Sequence, residues 1–195
     1  MPKINASNVV EQREWRRSQL ISAAAAIALE SGSEAITVSA VAQRAGLART
    51  SVYEYFGSSA ELVADLILEE LSLFTSILVD AVEPAKNSEE AIANWINSAL
   101  LYIADGRHLL AKALSATSLP ANRSAEIGAA HRALLAPLSK ALFEIGISDL
   151  NYALNMIQSL TDAATKRIEN GSDPESEISK TVAFCIAGLR TLIQS

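Results

Sequence analysis

Residues 42–56 read AQRAGLARTSVYEYF. This short run gathers Arg44 and Arg49, the hydroxyls of Thr50 and Ser51, and two tyrosines, Tyr53 and Tyr55. Arginine carries a rigid fork of N–H donors that matches phosphate oxygens, and hydroxyls and phenols add single donors. Such a set suits a surface that lies against phosphate better than a site that breaks bonds.

Bond-breaking chemistry finds no residues elsewhere in the chain. There is no Ser/His/Asp or Cys/His constellation, no HExxH, no phosphate-cradling glycine loop and no paired-carboxylate site, so no enzyme is expected. His108 and His131 lie far apart in sequence, with no cysteine or carboxylate cluster at ligand spacing. Neither a metal nor a cofactor is expected. The one cysteine, Cys185 in TVAFCIAGL, reads as a buried small hydrophobe. A lone cysteine excludes an intramolecular disulfide and suits a reducing compartment. The first residues, MPKINASNVVEQREWRR, lack the apolar core of a signal peptide. No apolar run approaches the ~18–20 residues of a membrane span. A soluble cytoplasmic protein with no membrane partner is expected.

The net charge of −6 argues against a nucleic-acid partner until it is divided. The first 59 residues carry six basic and five acidic side chains, the remainder ten basic and seventeen acidic. A near-neutral head on an acidic body can still bind phosphate, because binding follows the local field.

The elements that must position these residues are helical. Alanine, leucine and isoleucine dominate, and aromatics make up only 5%. The fold class is all-α, with about nine helices. Leu20, Ile21, Ala24, Ile27 and Ala28 recur at helical spacing from about Arg13 to Ser31, with a polar, frayed segment before them and Gly32 as the stop. Thr37 caps VSAVAQRA, Gly46 ends it, and a short helix follows over roughly 48–54. Ser58 and Glu61 form a capping box for a helix over about 59–82. Further helices are predicted from Asn87 or Ser88 to Asp105, over 107–118, and over 122–145 with Pro137 kinking it. The last two run from a Ser148 cap to about Asn170, and from Asp173-Pro174 to about Ile193.

Ala42, Gly46 and Val52 stand at +4 and +10, which has a steric reading as a helix-turn-helix. Ala42 sits where two helices cross closely, Gly46 supplies a turn with positive φ, and Val52 packs back onto Val41 and Leu47. The stretch QLISAAAAIALESGSEAITVSAVAQRAGLARTSVYEYFGSSAEL resembles the amino-terminal domain of the tetracycline-repressor (TetR) family. The Ala-rich helix ending in Glu-Ser-Gly, the Thr37 opening, the Ala-Gly-Leu turn and Tyr-x-Tyr-Phe before a Ser-rich cap carry the likeness.

The resemblance implies a three-helix DNA-binding domain over 1–57 and a larger helical ligand-binding and dimerisation domain over 58–195. Residues 48–54 become the recognition helix, with Arg49, Thr50 and Ser51 at base edges and phosphates. Tyr53 and Tyr55 offer hydroxyls to phosphate, and Thr37 and Arg44 hold the DNA backbone. Phe56 is assigned to core. Arg13, Arg16 and Arg17 are either a DNA-facing arm or an ordinary polar helix start. Ala48 stands where serine often caps the recognition helix, Thr50 replaces a frequent glycine and Ser59 a frequent lysine. Glu54 points to solvent or accepts from a cytosine amino group.

In the larger domain the resemblance implies a small-molecule effector, lined by Phe74, Leu78, Trp95, Leu100, Tyr102, His108, Phe143 and Met156. Few charges fall there, so a hydrophobic or aromatic effector, neutral or cationic, is expected. Leu150, Leu154, Ile157, Leu160 and Ala164 stripe one helix, and Val182, Cys185, Ile186, Leu189 and Ile193 the other. A lone domain would leave part of this apolar surface wet, which signals association, and the resemblance implies a homodimer through a four-helix interface. The function implied is a ligand-responsive regulator, most simply a repressor released from a pseudo-palindromic double-stranded operator, working at the nucleoid. The alternatives are an activator, a protein-binding helical module with a vestigial helix-turn-helix, and a small-molecule enzyme.

Overall fold

A computed structural model describes residues 6–114 and 120–193. Every regular element among them is helical. Nine α-helices follow in order: α1 (Ala6–Ser31), α2 (Val38–Ala45), α3 (Arg49–Tyr53), α4 (Ser59–Val82), α5 (Ser88–Ala104), α6 (Leu109–Leu114), α7 (Ser124–Glu144), α8 (Leu150–Glu169) and α9 (Pro174–Ile193). Short 3₁₀ turns occupy Ser33–Ala35 and Ala121–Arg123.

Side-chain caps start α2, α4, α5 and α9 where the sequence places them. Thr37 Oγ1 accepts from Ala40 N at 3.1 Å, Asn87 Oδ1 from Glu90 N at 2.9 Å, and Asp173 Oδ2 from Ser176 N at 2.9 Å. Ser58 Oγ accepts from Glu61 N at 3.2 Å, and Glu61 reaches back to Gly57 N at 3.3 Å. Each satisfies an amide that the first turn leaves without a partner. Three expectations need correction. α1 begins at Ala6 rather than near Arg13, because Gln12, Arg13 and Glu14 are good helix formers and no breaker interrupts them. α8 is capped by Asp149, which accepts from Tyr152 N at 3.0 Å, and not by Ser148. α6 starts at Leu109 rather than 107 and is described to Leu114, and the expected residues 115–118 lie outside the described part. Pro137 sits inside α7, and the apolar face resumes after it with Leu138, Ala141 and Leu142 buried.

The helices form two compact units. One is built from the chain up to Glu70 together with Leu109–Ile127, the other from Leu71–His108 and the chain from Gly128 onward. Packing therefore does not divide at 57/58. The start of α4 buries Leu62, Val63 and Leu66 in one core with Leu20, Val41 and Val52, and Leu110 and Leu114 of α6 join them. In the other unit α5, α8 and α9 pack on one another. Their core holds Ile92, Trp95, Ile96, Leu100, Ile157 and Leu189, with Leu138 and Leu142 from α7.

The first unit carries an ionic knot. Asp65 on α4 accepts from Arg17 of α1 at 2.7 Å and from Arg123 at 2.6 Å. Arg17 also donates to Glu69 at 2.7 Å, and Arg123 to Glu126 at 2.7 Å. The side chains of Asp65 and Arg123 are 18% and 19% exposed, so water screens their pairing only in part. We expect Asp65→Ala to lower stability by about 1–3 kcal/mol in urea unfolding. A double-mutant cycle of Asp65→Ala with Arg123→Ala should return a coupling above ~0.5 kcal/mol. Simple additivity would show that the two side chains act independently.

Candidate nucleic-acid interface

The α2–turn–α3 pair is set by its turn. Gly46 adopts φ 68° and ψ 29°, a left-handed conformation that costs glycine little. Leu47 N donates to Ala42 O at 2.9 Å and Gly46 N to Gln43 O at 3.3 Å, which uses the last carbonyls of α2. Val41, Ala42 and Val52 are buried, so α3 packs back through the residues the spacing picked out. Phe56 is buried as well, as its lack of a polar handle predicts.

With Val52 turned inward, α3 presents the rest of its surface to solvent. Arg49, Thr50 and Glu54 are exposed, Tyr53 is 52% exposed, and Ser51 is half-buried. Thr37 is exposed at the start of α2, where its hydroxyl hydrogen stays available although its oxygen already caps the helix. Tyr55 is half-buried and packs on the first unit's core. Ala48 precedes α3 with φ −71° and ψ 149° and gives no side-chain cap.

The structure corrects the reading of Arg44. Its guanidinium makes a two-pronged pair with Glu30 of α1, at 2.6 and 2.5 Å. Those hydrogen bonds hold the Glu30 carboxyl below the usual carboxylate range. The pairing spans fourteen positions and leaves no local signal in sequence. Arg49 has no ion pair among the described residues.

The residues expected around an effector separate into three groups. Leu78, Trp95 and Leu100 are buried in the second unit's core, Phe74 packs against it, and Phe74 stacks on the buried Tyr102 with centroids 4.3 Å apart. Trp95 Nε1 donates to Leu134 O at 3.4 Å, which supplies a partner for its polar end. His108 is instead bound to Glu169, with Nε2 2.9 Å from Oε1. Phe143 and Met156 are corrections: they are 71% and 43% exposed and belong to no shared interior. An open groove of about 780 Å³ does lie in this unit, lined by Val79, Val82, Ala91, Ala136, Pro137 and Lys140 among others. Its wall residues Ala91 and Ala141 belong to the same core as Leu78 and Trp95.

The proposed dimer stripe also needs correction. Ile157, Cys185 and Leu189 are buried in the protomer's own core, and burial pushes the Cys185 thiol up to about 11. Leu150, Leu154, Leu160, Val182 and Ile186 are half-buried against that core, and only Ile193 is exposed. The free apolar face of α8 and α9 is carried by Tyr152, Met156 and Phe184, at 50%, 43% and 67% exposure. It lies one position round from the buried stripe, about 100° on a helix. These three side chains line an apolar groove of about 360 Å³ with Gly188 and Thr191.

Among the described residues no helix is long and apolar enough to cross a membrane. No group of three or more His, Cys, Asp or Glu among them could hold a metal ion.

Comparison with known proteins places the helix-turn-helix. Residues 20–66 match the model for bacterial regulatory proteins of the tetR family. No curated protein matches the chain. Among solved structures, the superantigen PfiT is 20% identical, over 87% of this chain and 95% of that one, with a TM-score of 0.76. The transcriptional regulator FadR of Bacillus subtilis, solved with stearoyl-CoA, is 22% identical over 88% and 98%, with a TM-score of 0.72. PfmR of Thermus thermophilus, a TetR-family regulator, is 21% identical over 89% and 95%, with a TM-score of 0.68. At these identities the likeness is one of fold.

The uncapped start of α3 generates a direct prediction. Ala48→Ser should stabilise the protein by about 0.5–1 kcal/mol, and Thr37→Ala should cost about 1 kcal/mol, both read by thermal unfolding. A neutral Ala48→Ser would mean that the serine oxygen cannot reach the Thr50 or Ser51 amide.

Proposed function

We propose that this chain, whose amino-terminal helix-turn-helix belongs to the tetR family, is a homodimeric DNA-binding regulator that a small hydrophobic molecule releases from its operator. The observation that carries the reading is the exposed row Arg49, Thr50 and Tyr53 on a helix held rigidly by the Gly46 turn. α3 enters the major groove, with Arg49 and Thr50 at its amino-terminal end and Tyr53 on a flanking phosphate. Thr37, Ser51 and Tyr55 support the same surface. Arg44 joins it only by leaving Glu30.

Two copies meet through the face of Tyr152, Met156 and Phe184, since three large exposed side chains around one groove are what a second copy would cover. The dimer then presents two α3 helices to successive major grooves, about 34–36 Å apart. Such a protein acts at the nucleoid in the cytoplasm.

Three variants separate the parts in an anisotropy titration, using duplex DNA that the protein itself selects from a random pool. Arg49→Ala or Tyr53→Ala should weaken binding about tenfold or more while sedimentation still shows a dimer. Phe184→Asp should give a folded monomer with still weaker DNA binding, because the linkage of two heads is lost. A protein that recovers no duplex at all would instead be a protein-binding module, a reading that the fold shared with a superantigen makes concrete.

The groove of α4, α5 and α7 is the effector site in this proposal. Its volume suits a small molecule, and its mostly aliphatic wall with Lys86 and Lys140 beside Glu83 and Glu144 suits an apolar body with a polar end. FadR, which shares the fold, was solved with stearoyl-CoA. Binding releases DNA only as far as the effector prefers the state with the heads misplaced. Stearoyl-CoA titrated into the DNA complex should therefore lower anisotropy. Ala136→Trp, at an exposed position of the groove, should raise the concentration required by about tenfold or more without changing DNA affinity. Equal release from both proteins would put the effector elsewhere.

A further inference from the structure

The three arginines near the start of α1 are not equivalent. Arg17 is held inside the protein by Asp65 and Glu69. Arg16 is exposed and has no ion pair among the described residues. Arg13 is exposed too, and its guanidinium lies 6.0 Å from the centroid of the Tyr55 ring. Tyr55 is half-buried on the core, so its ring is an anchored partner for that cation–π contact. A guanidinium has five N–H donors, and Arg13 has no ion pair among the described residues that uses them.

Arg13 and Arg16 share an open groove of about 450 Å³ with Gln12, Glu54 and Tyr55. At about 100° per residue, Gln12, Arg13 and Arg16 fall on one side of α1, while Glu11 and Glu14 point about 150° away. The acidic neighbours in sequence therefore do not face the groove. Glu54 is the one carboxylate that lines it. The groove adjoins α3 through Glu54 and Tyr55, which immediately follow that helix.

We propose that this groove seats a phosphate of the DNA backbone flanking the bases read by α3, with Arg13 and Arg16 as donors and Tyr55 positioning Arg13. The proposal rests on the DNA-binding reading above and adds a contact made by a different element. Two guanidinium forks with one opposing carboxylate fit a phosphodiester, whose oxygens accept from both. A contact of this kind fixes register and contributes affinity but carries no base information.

The test uses the full-length protein, a labelled duplex selected by the protein from a random pool, and an unrelated duplex of equal length. The Arg13→Ala/Arg16→Ala double variant should weaken both duplexes by a similar factor, about tenfold or more. Its plot of log K against log[salt] should flatten by about one unit for each phosphate that is no longer neutralised. Glu54→Gln should tighten both duplexes by about threefold at low salt, an effect that misfolding cannot produce. Unchanged affinity and slope in the double variant, with Arg49→Ala still weakening binding, overturns the phosphate contact and leaves the DNA reading standing. Loss confined to the selected duplex also overturns it, since that would be base readout. If Arg49→Ala is silent as well, the DNA-binding reading itself fails.

Discussion

Asp65 sits between Arg17 and Arg123, and the organisation of the first unit follows from that one carboxylate. It ties α1, α4 and the turn before α7 at a single point. Arg17 donates to one oxygen of this partly buried carboxylate and Arg123 to the other, so losing either arginine leaves one oxygen without that donor. The knot also fixes the rotation of α1 about its axis. Arg13 lies one turn before Arg17 on the same face, and the two guanidinium groups stand over consecutive rings, Tyr55 and Phe56, at 6.0 and 5.8 Å. Pinning Arg17 therefore brings Arg13 to Tyr55 at the end of the helix-turn-helix. An ion pair inside the unit thus decides which cations of α1 stay available on its surface.

What could be read from sequence was what short-range chemistry determines. Thr37, Asn87, Asp173 and the Ser58–Glu61 pair cap where they do because a side-chain oxygen three residues before an amide is a local fact. Gly46 ends α2 for an equally local reason. The errors at α1 and α8 are local too, but involve near-equal competitors: Ser148 and Asp149 can both cap, and the polar start of α1 forms helix as well as it frays. Illegible were the partners of the arginines. Arg44 meets Glu30 from fourteen residues away, and Arg17 and Arg123 meet Asp65 from forty-eight and fifty-eight. Only the packed fold brings these groups together, so sequence could name cations without saying which were already neutralised. The stripe on α8 and α9 shows the same limit. Its periodicity was right, but an apolar face long enough for a partner was first used by the protomer's own α5.

The neighbours in fold sharpen what has to carry a functional argument. A regulator bound to stearoyl-CoA and a superantigen share this architecture at about the same identity and coverage. Architecture alone therefore leaves function open. What separates the readings is the chemistry of residues 37–55, where an exposed arginine, hydroxyls and a phenol stand on the outer side of a rigid helix pair. A protein-binding surface of that size would gain more from a central apolar anchor, and Tyr53 is the one large partly apolar side chain exposed on α3.

In the proposed dimer the number of free cations decides how strongly DNA is held. With Arg17 and Arg44 neutralised internally, the head offers phosphate only Arg13, Arg16 and Arg49 from its described residues. At about 0.9 counterion released per contact, one head gains little at physiological salt. Two heads on a common dimer roughly double the number of phosphates reached and make the second engagement intramolecular. Affinity then depends on the spacing between heads more than on any single contact. In the dimer proposed above, a modest error in the spacing of the heads is enough to take one of them off the DNA altogether.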